Sequence, residues 1–199
     1  MNRTLLMLSL LPGLIIGLTL HEAAHAWAAH RFGDDFAKSK GRLTLNPLRH
    51  LSFTGTVMLL ILGFGWARPV PVNMYNLRSP RRDFILIALV GPAANLVLCI
   101  VLGILLRLSA GVESDIAGII QEQIFYAYLI NGVLCVVNLL PIPPLDGSRL
   151  WGFLLPGHRI FANRNIQLAG IVFLMVFMFS GMLDKTITSF LFVLSRIVM

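Results

Sequence analysis

Charge is scarce in this chain. Only 13% of the residues are Asp, Glu, Lys or Arg, against about a quarter in an ordinary soluble domain, and 57% are hydrophobic, with a mean hydropathy of +0.81. That deficit excludes a water-soluble globule and points to a polytopic membrane protein. Carboxylates are the rarest charged groups, nine against sixteen Lys and Arg. Cysteine is nearly missing. Cys99 and Cys135 lie in apolar runs without CxxC spacing, so they read as buried inert thiols and say nothing of redox compartment. No stretch is long and polar enough for a sizeable soluble domain, no internal repeat is visible, and the first apolar run lacks the small-residue cleavage pattern of a signal peptide.

The net charge of +7 would invite nucleic acid in a soluble protein. Here the cations sit in short loops between apolar runs, where the bias of cytoplasmic loops toward Lys and Arg accounts for them. The expected partner is the lipid bilayer, with no nucleic acid.

The apolar runs predict an all-α polytopic protein of five or six transmembrane helices, forming one domain over 1–199. Its catalytic core covers about 5–152 and a C-terminal helical hairpin about 165–199. Leu5 to Ala29 is the first helix, about 37 Å long at ~1.5 Å per residue and enough to span. Within the connector 31–51, Arg42 to Asn46 alternates and stops at Pro47, which reads as a short strand. Further helices are expected at 83–108, 124–140, 166–182 and 187–199. The loops 31–51, 68–82 and 147–164 are basic and are placed in the cytoplasm, whereas 109–123 is acidic and lies opposite. Both ends of the short, Gly-containing run 53–67 then fall on one side, so it reads as a re-entrant element, the alternative being a true span that breaks the charge rule.

His21-Glu22-Ala23-Ala24-His25 is an HExxH sequence. On a helix the two histidines share a face and can bind one zinc, with Glu22 placed as general base. Three ionisable residues within five positions of a membrane helix are costly unless something compensates, and a metal does so; the alternative is a chance match lining an ion path. Zinc hydrolases need a third protein ligand. No acidic residue occurs from Phe36 through Arg82, so a glutamate some twenty residues downstream is excluded. Asp34 and Asp35 are too near in sequence and sit past the helix end, Asp83 sits beside Arg81 and Arg82, Glu113, Asp115 and Glu122 belong to the opposite loop, and Asp184 is remote. Asp146 remains. It follows Pro141, Pro143 and Pro144, which stop the preceding helix and leave unwound chain at the depth of His21 and His25; the rival reading is an ordinary Asp-Gly turn.

With these residues in place, the chain resembles the site-2 protease family of intramembrane zinc metalloproteases. Asn138-Leu-Leu-Pro-Ile-Pro-Pro-Leu-Asp-Gly147 is similar to the family's NxxPxPxLDG signature and Gly91-Pro-Ala-Ala-Asn95 to its GPxxN element. Similarity continues through Gly41 to His50 and Gly65 to Asn73, covering roughly 8–152. The resemblance implies one Zn2+ per chain on His21, His25 and Asp146, Glu22 as catalytic base, and a single-pass membrane protein as substrate, often a regulator released by an earlier cut. Leu51-Ser52-Phe53 departs from the hydrophobic-Asp-Pro that compact relatives carry after the position of His50. Selection of substrates by a PDZ or CBS domain is not expected.

Asn138 admits two readings, an interhelical hydrogen bond or a contact with the attacking water and the developing oxyanion. For Asn95 packing is favoured, and Asn131 is read as structural. His30, His50 and His158 are placed at the interface, and Trp27, Trp66 and Trp151 in the aromatic belt. A substrate strand is expected to pair along Leu43–Leu45 or along Pro141–Pro144. The rivals to a peptidase with a cytoplasmic active site are a membrane transporter, which would hold no zinc, and a non-catalytic binder on the same scaffold, against which the intact Glu22 speaks.

Overall fold

The computed structural model describes residues 3–62, 65–154, 163–180, 188–190 and 192–196. Three long helices form the body: α1 (Arg3–Arg31), α4 (Pro80–Ser109) and α5 (Asp115–Leu139), each packed against the other two. These are the three described helices long and apolar enough to cross a membrane, so the chain is read as an integral membrane protein. Between them lie the short α2 (Phe36–Ser39) and α3 (Phe53–Leu62); after them come α6 (Asp146–Leu154) and α7 (Arg164–Phe179). Of the expected C-terminal hairpin, α7 forms the first arm and residues 188–190 and 192–196 are helical, whereas residues 181–187, 191 and 197–199, and His158 before the hairpin, lie outside the described residues.

The close approach of α1 and α5 follows from two glycines. A Cβ at Gly13 would strike the Ala127 backbone and one at Gly17 would strike Asn131 Oδ1. Gly13, Gly17, His21 and His25 are spaced by four, so they form one stripe along α1. The glycine half admits α5 and the histidine half faces α4. The outer faces stay apolar and exposed, with Val97, Val101 and Ile104 on α4 and Ile116, Ile119 and Ile120 on α5, as lipid contact requires.

Helix ends are set by local chemistry. Past α1, Gly33 takes φ 107 and the Asp34 amide donates back to Ala29 O (2.9 Å), a glycine C-terminal cap. Pro80 opens α4, and the Asp83 carboxylate accepts from the Ser79 amide (2.7 Å). Ser114 Oγ accepts from the Ala117 amide (3.1 Å) and starts α5 nine residues before the expected position. The expected loop 109–123 therefore shrinks to a few residues, with Gln121 and Glu122 riding on the helix. The expected loop 147–164 is likewise helical through Leu154.

The connector corrects the strand reading of Arg42 to Asn46. Among the described residues there is no strand, only an isolated antiparallel bridge between Leu51 and Ala67. The alternation fails because its polar groups are engaged locally: Thr44 Oγ1 accepts from the Asn46 amide, Asn46 Oδ1 from the Leu48 amide, and His50 Nε2 donates to Thr44 O. His50 is fully buried in this connector rather than interfacial. The bridge holds the two ends of the 53–67 segment together. α3 has ten residues, about 15 Å and half of a ~30 Å hydrocarbon core. Gly55 packs against the Trp66 backbone, where a Cβ would not fit.

Candidate metal centre

Three elements bring the site together. α1 contributes His21, Glu22 and His25, α4 contributes Gly91 and Asn95, and the start of α6 contributes Asp146. Pro141, Pro143 and Pro144 stop α5 and leave 140–145 unwound, after which Gly147 lets α6 start against the end of α5; a Cβ there would meet the Leu139 and Leu140 carbonyls. Asp146 thus sits in the first turn of α6, where a carboxylate also suits the helix dipole.

The donor atoms converge. His21 Nε2 lies 2.9 Å and His25 Nε2 3.0 Å from Asp146 Oδ2, and the two Nε2 atoms are 3.0 Å apart. The imidazole planes stand at 82° to one another, and all three residues are buried.

The far nitrogen of each ring is committed. Asn95 Nδ2 donates to Gly17 O (3.1 Å) and to Asn131 Oδ1 (3.0 Å), so Asn95 Oδ1 must be the atom facing His21 Nδ1 at 2.6 Å. His21 Nδ1 therefore carries the proton. His25 Nδ1 donates to Ile87 O (2.7 Å), on the α4 turn where Pro92 lacks the N–H that would close on Ala88 O. In neutral histidines both Nε2 atoms then present lone pairs, and they present them to each other and to a carboxylate oxygen. Three buried acceptors with no proton to share repel unless a cation lies among them.

Zinc fits this donor set. Two imidazole nitrogens and one carboxylate oxygen are a set of three protein ligands of the kind catalytic zinc sites use, and His21, His25 and Asp146 would hold the ion. The hydrogen bonds on both Nδ1 atoms are the outer-shell partners such ligands need. Gly91 supplies the space: an added Cβ would run into His25 Nε2 and into Cε1 of both imidazoles.

Glu22, one residue after His21, is buried and held by another segment. Its Oε2 accepts from the Val70 amide at 2.9 Å. Residues 68–71 read Arg-Pro-Val-Pro, so this strap has only two amide donors; Arg68 uses its own on His50 O (2.7 Å) and Val70 uses its own on Glu22. Arg42 holds the strap's carbonyls, Nη1 donating to Pro69 O (3.1 Å) and Nη2 to Arg68 O, and Nη2 stands 4.0 Å from Glu22 Oε2. Burial pulls this guanidinium below its ordinary pKa, and the Glu22 charge works in the other direction. The Val70 side chain packs into a buried cluster with Ala26 and Ala37.

The expected residues His21, His25 and Asp146 are brought together, with Glu22 adjoining on the same helix turn. Asn138 donates to Leu134 O on its own helix (2.9 Å) rather than to any of them. Asn95, favoured for packing alone, touches a candidate ligand directly. Asn131 braces it, donating to Gly13 O and Ala127 O. Asp34, set aside as a ligand, is fully buried and ties the connectors together by accepting from the Phe36 and Asn73 amides and from Asn76 Nδ2.

A family model described as Peptidase family M50 matches residues 111–181, a stretch that includes Asp146. The relatives include "Putative zinc metalloprotease YwhC" of Bacillus subtilis, 43% identical over 179 residues that make up 85% of this chain and 82% of that protein. "Putative zinc metalloprotease Rip2" of Mycolicibacterium smegmatis is 35% identical over 141 residues, 69% of this chain and 53% of the longer relative. Its namesake in Mycobacterium tuberculosis is 34% identical over 143 residues with the same coverage. No solved structure matches the chain.

Proposed function

The chain belongs to peptidase family M50, the site-2 protease family, and from that premise we propose that it is a membrane zinc metalloprotease that hydrolyses a peptide bond in or near the transmembrane segment of a single-pass membrane protein, as a step in regulated intramembrane proteolysis. The observation that carries this reading is the convergence of His21 Nε2, His25 Nε2 and Asp146 Oδ2 within 3.0 Å of one another, beside a glutamate held in place by the Val70 amide.

His21, His25 and Asp146 would hold the zinc, which when bound supplies the Lewis acidity that polarises a carbonyl and acidifies water. Glu22 is the general base. With Oε2 engaged by Val70, its Oε1 takes the proton of the attacking water and delivers it to the leaving amine. Asn95 and the Ile87 carbonyl keep the imidazoles in the tautomer that binds metal. Asn138, in the last turn of α5, serves as a donor toward the reacting carbonyl once its amide leaves Leu134 O. A transmembrane helix must unwind before it can be cut, because its carbonyls are otherwise hydrogen-bonded within the helix.

In the membrane, α1, α4 and α5 span, 53–67 dips in and returns, and α7 with the final helical run brings the count to five; a sixth span would require 53–67 to cross. A cytoplasmic active site is the reading that the basic connectors around Lys38, Arg49, Arg68 and Arg81 support, through the bias of cytoplasmic loops toward Lys and Arg. The test is cleavage of a single-pass substrate by purified protein. Activity should vanish on chelation, return with zinc, and be absent in Glu22→Gln while zinc is retained. Chelator-insensitive cleavage, or wild-type cleavage by Glu22→Gln, would overturn the assignment.

A further inference from the structure

The strap that holds Glu22 also forms one wall of a second concavity. This cavity, of about 550 Å³, is lined by four cations, Lys40, Arg42, Arg49 and Arg68, and otherwise by apolar side chains. No carboxylate is among its described lining residues. Among the described residues, Lys40, Arg49 and Arg68 have no acidic partner, and the only acid near Arg42 is Glu22. Arg42 is buried, its two terminal nitrogens are used on the strap, and its Nε has no hydrogen-bond partner among the described residues. The cytoplasmic preference for basic loops explains cations in these connectors. It does not explain why four of them border one concavity, where like charges repel and a positive potential is focused.

We propose that this cavity is a specificity subsite that takes an acidic side chain, Asp or Glu, carried by the substrate on the flank that leaves the active site toward the basic connectors. The proposal rests on the peptidase reading and adds a substrate preference to it. The shared residue decides between occupants. Arg42 lines the cavity and also stands 4.0 Å from Glu22 Oε2, so an anion seated here is close to the catalytic base. An extended chain advances about 3.3 Å per residue, which lets a side chain a few residues from the scissile bond reach the cavity. That position favours the chain being cut over a phospholipid headgroup.

The experiment uses full-length, zinc-loaded protein in phosphatidylcholine vesicles and single-pass peptides whose flank carries Asp/Glu, Asn/Gln or Lys. Binding is measured in the Glu22→Gln background, and cleavage separately with Glu22 intact. The acidic flank should bind about tenfold more tightly than its amide counterpart, the yield of two or three partly exposed ion pairs acting together, and the advantage should shrink with added salt. In Lys40→Glu/Arg49→Glu the preference should pass to the Lys flank, a gain that a misfolded protein could not show. Equal binding of all three flanks, or an acidic preference unchanged in the double variant, overturns the subsite. So does binding that rises for every flank alike when phosphatidylglycerol is added and loses that rise in the double variant, since the cavity would then be a headgroup site. A charge preference without any cleavage strikes the peptidase reading and upholds the subsite; cleavage without a preference strikes the subsite alone.

Discussion

Replacing Gly91 by alanine adds one methyl group at the point where α4 meets both imidazoles. The new Cβ would lie 2.6 Å from His25 Cε1 and 2.7 Å from His21 Cε1, where carbon atoms settle at about 3.5–4.0 Å. Something must move by roughly 1 Å, several times the ~0.2 Å tolerance of a metal–ligand distance. The rings cannot yield freely, because Asn95 and Ile87 O grip their Nδ1 atoms on the same helix that carries the methyl group. Gly91→Ala should therefore weaken zinc binding by about 10–100-fold, the usual cost of disturbing the groups that orient metal ligands. Proteolysis should fall by about a hundredfold even at saturating zinc. Gly118→Ala is the control: it is exposed on α5 with nothing within 4 Å of its added Cβ, and should leave zinc binding intact. Competition against a chromogenic chelator in detergent reads the affinity. Wild-type zinc affinity in Gly91→Ala would refute the packing argument.

Asn95→Leu should strand the His21 Nδ1–H and lower zinc affinity about 10–100-fold by the same titration, whereas Asn95→Asp, which keeps an acceptor, should lose less. Val70→Pro removes the single amide that grips Glu22 in a strap already flanked by two prolines. Loss of a hydrogen bond to a charged group, about 1.5–3 kcal/mol, should lower kcat roughly 10–100-fold with zinc content unchanged by metal analysis. Once Cys99 and Cys135 are replaced by alanine, cysteines at exposed Ser39 and Glu113 should react with a membrane-impermeant thiol reagent from opposite faces. Reaction from one face would break the proposed topology. Ser148, in the basic stretch after Asp146, is unsuitable for labelling because it is buried with its hydroxyl on Leu145 O.

The parts of the site legible in the sequence are those encoded by short spacing or by scarcity. His21, Glu22 and His25 are a pattern within one helix, and Asp146 could be reached because so few carboxylates compete for the role. What escaped depends on which helices cross and where. Gly91 and Asn95 are four apart on α4, and Asn95 reads as a packing residue; only the crossing with α1 makes Gly91 the space for two imidazoles and Asn95 a hydrogen-bond acceptor for His21. A signal was present in the matching stripe of Gly13, Gly17, His21 and His25 on α1. Arg42 was hidden in an alternation that imitates a strand, and its place beside Glu22 arises from contacts with residues 68 and 69, far along the chain. At the start of α5, Gln121, Glu122 and Gln123 make a polar run that imitates a loop, whereas the Ser114 cap begins the helix before them.

The central claim is that His21, His25 and Asp146 together hold one zinc ion. Metal analysis of the purified wild-type protein beside Asp146→Ala tests it most directly. The account expects one zinc per chain in the wild type and a sharp loss in the variant, since two histidines alone leave an incomplete ligand set. Full zinc retention in Asp146→Ala would contradict it.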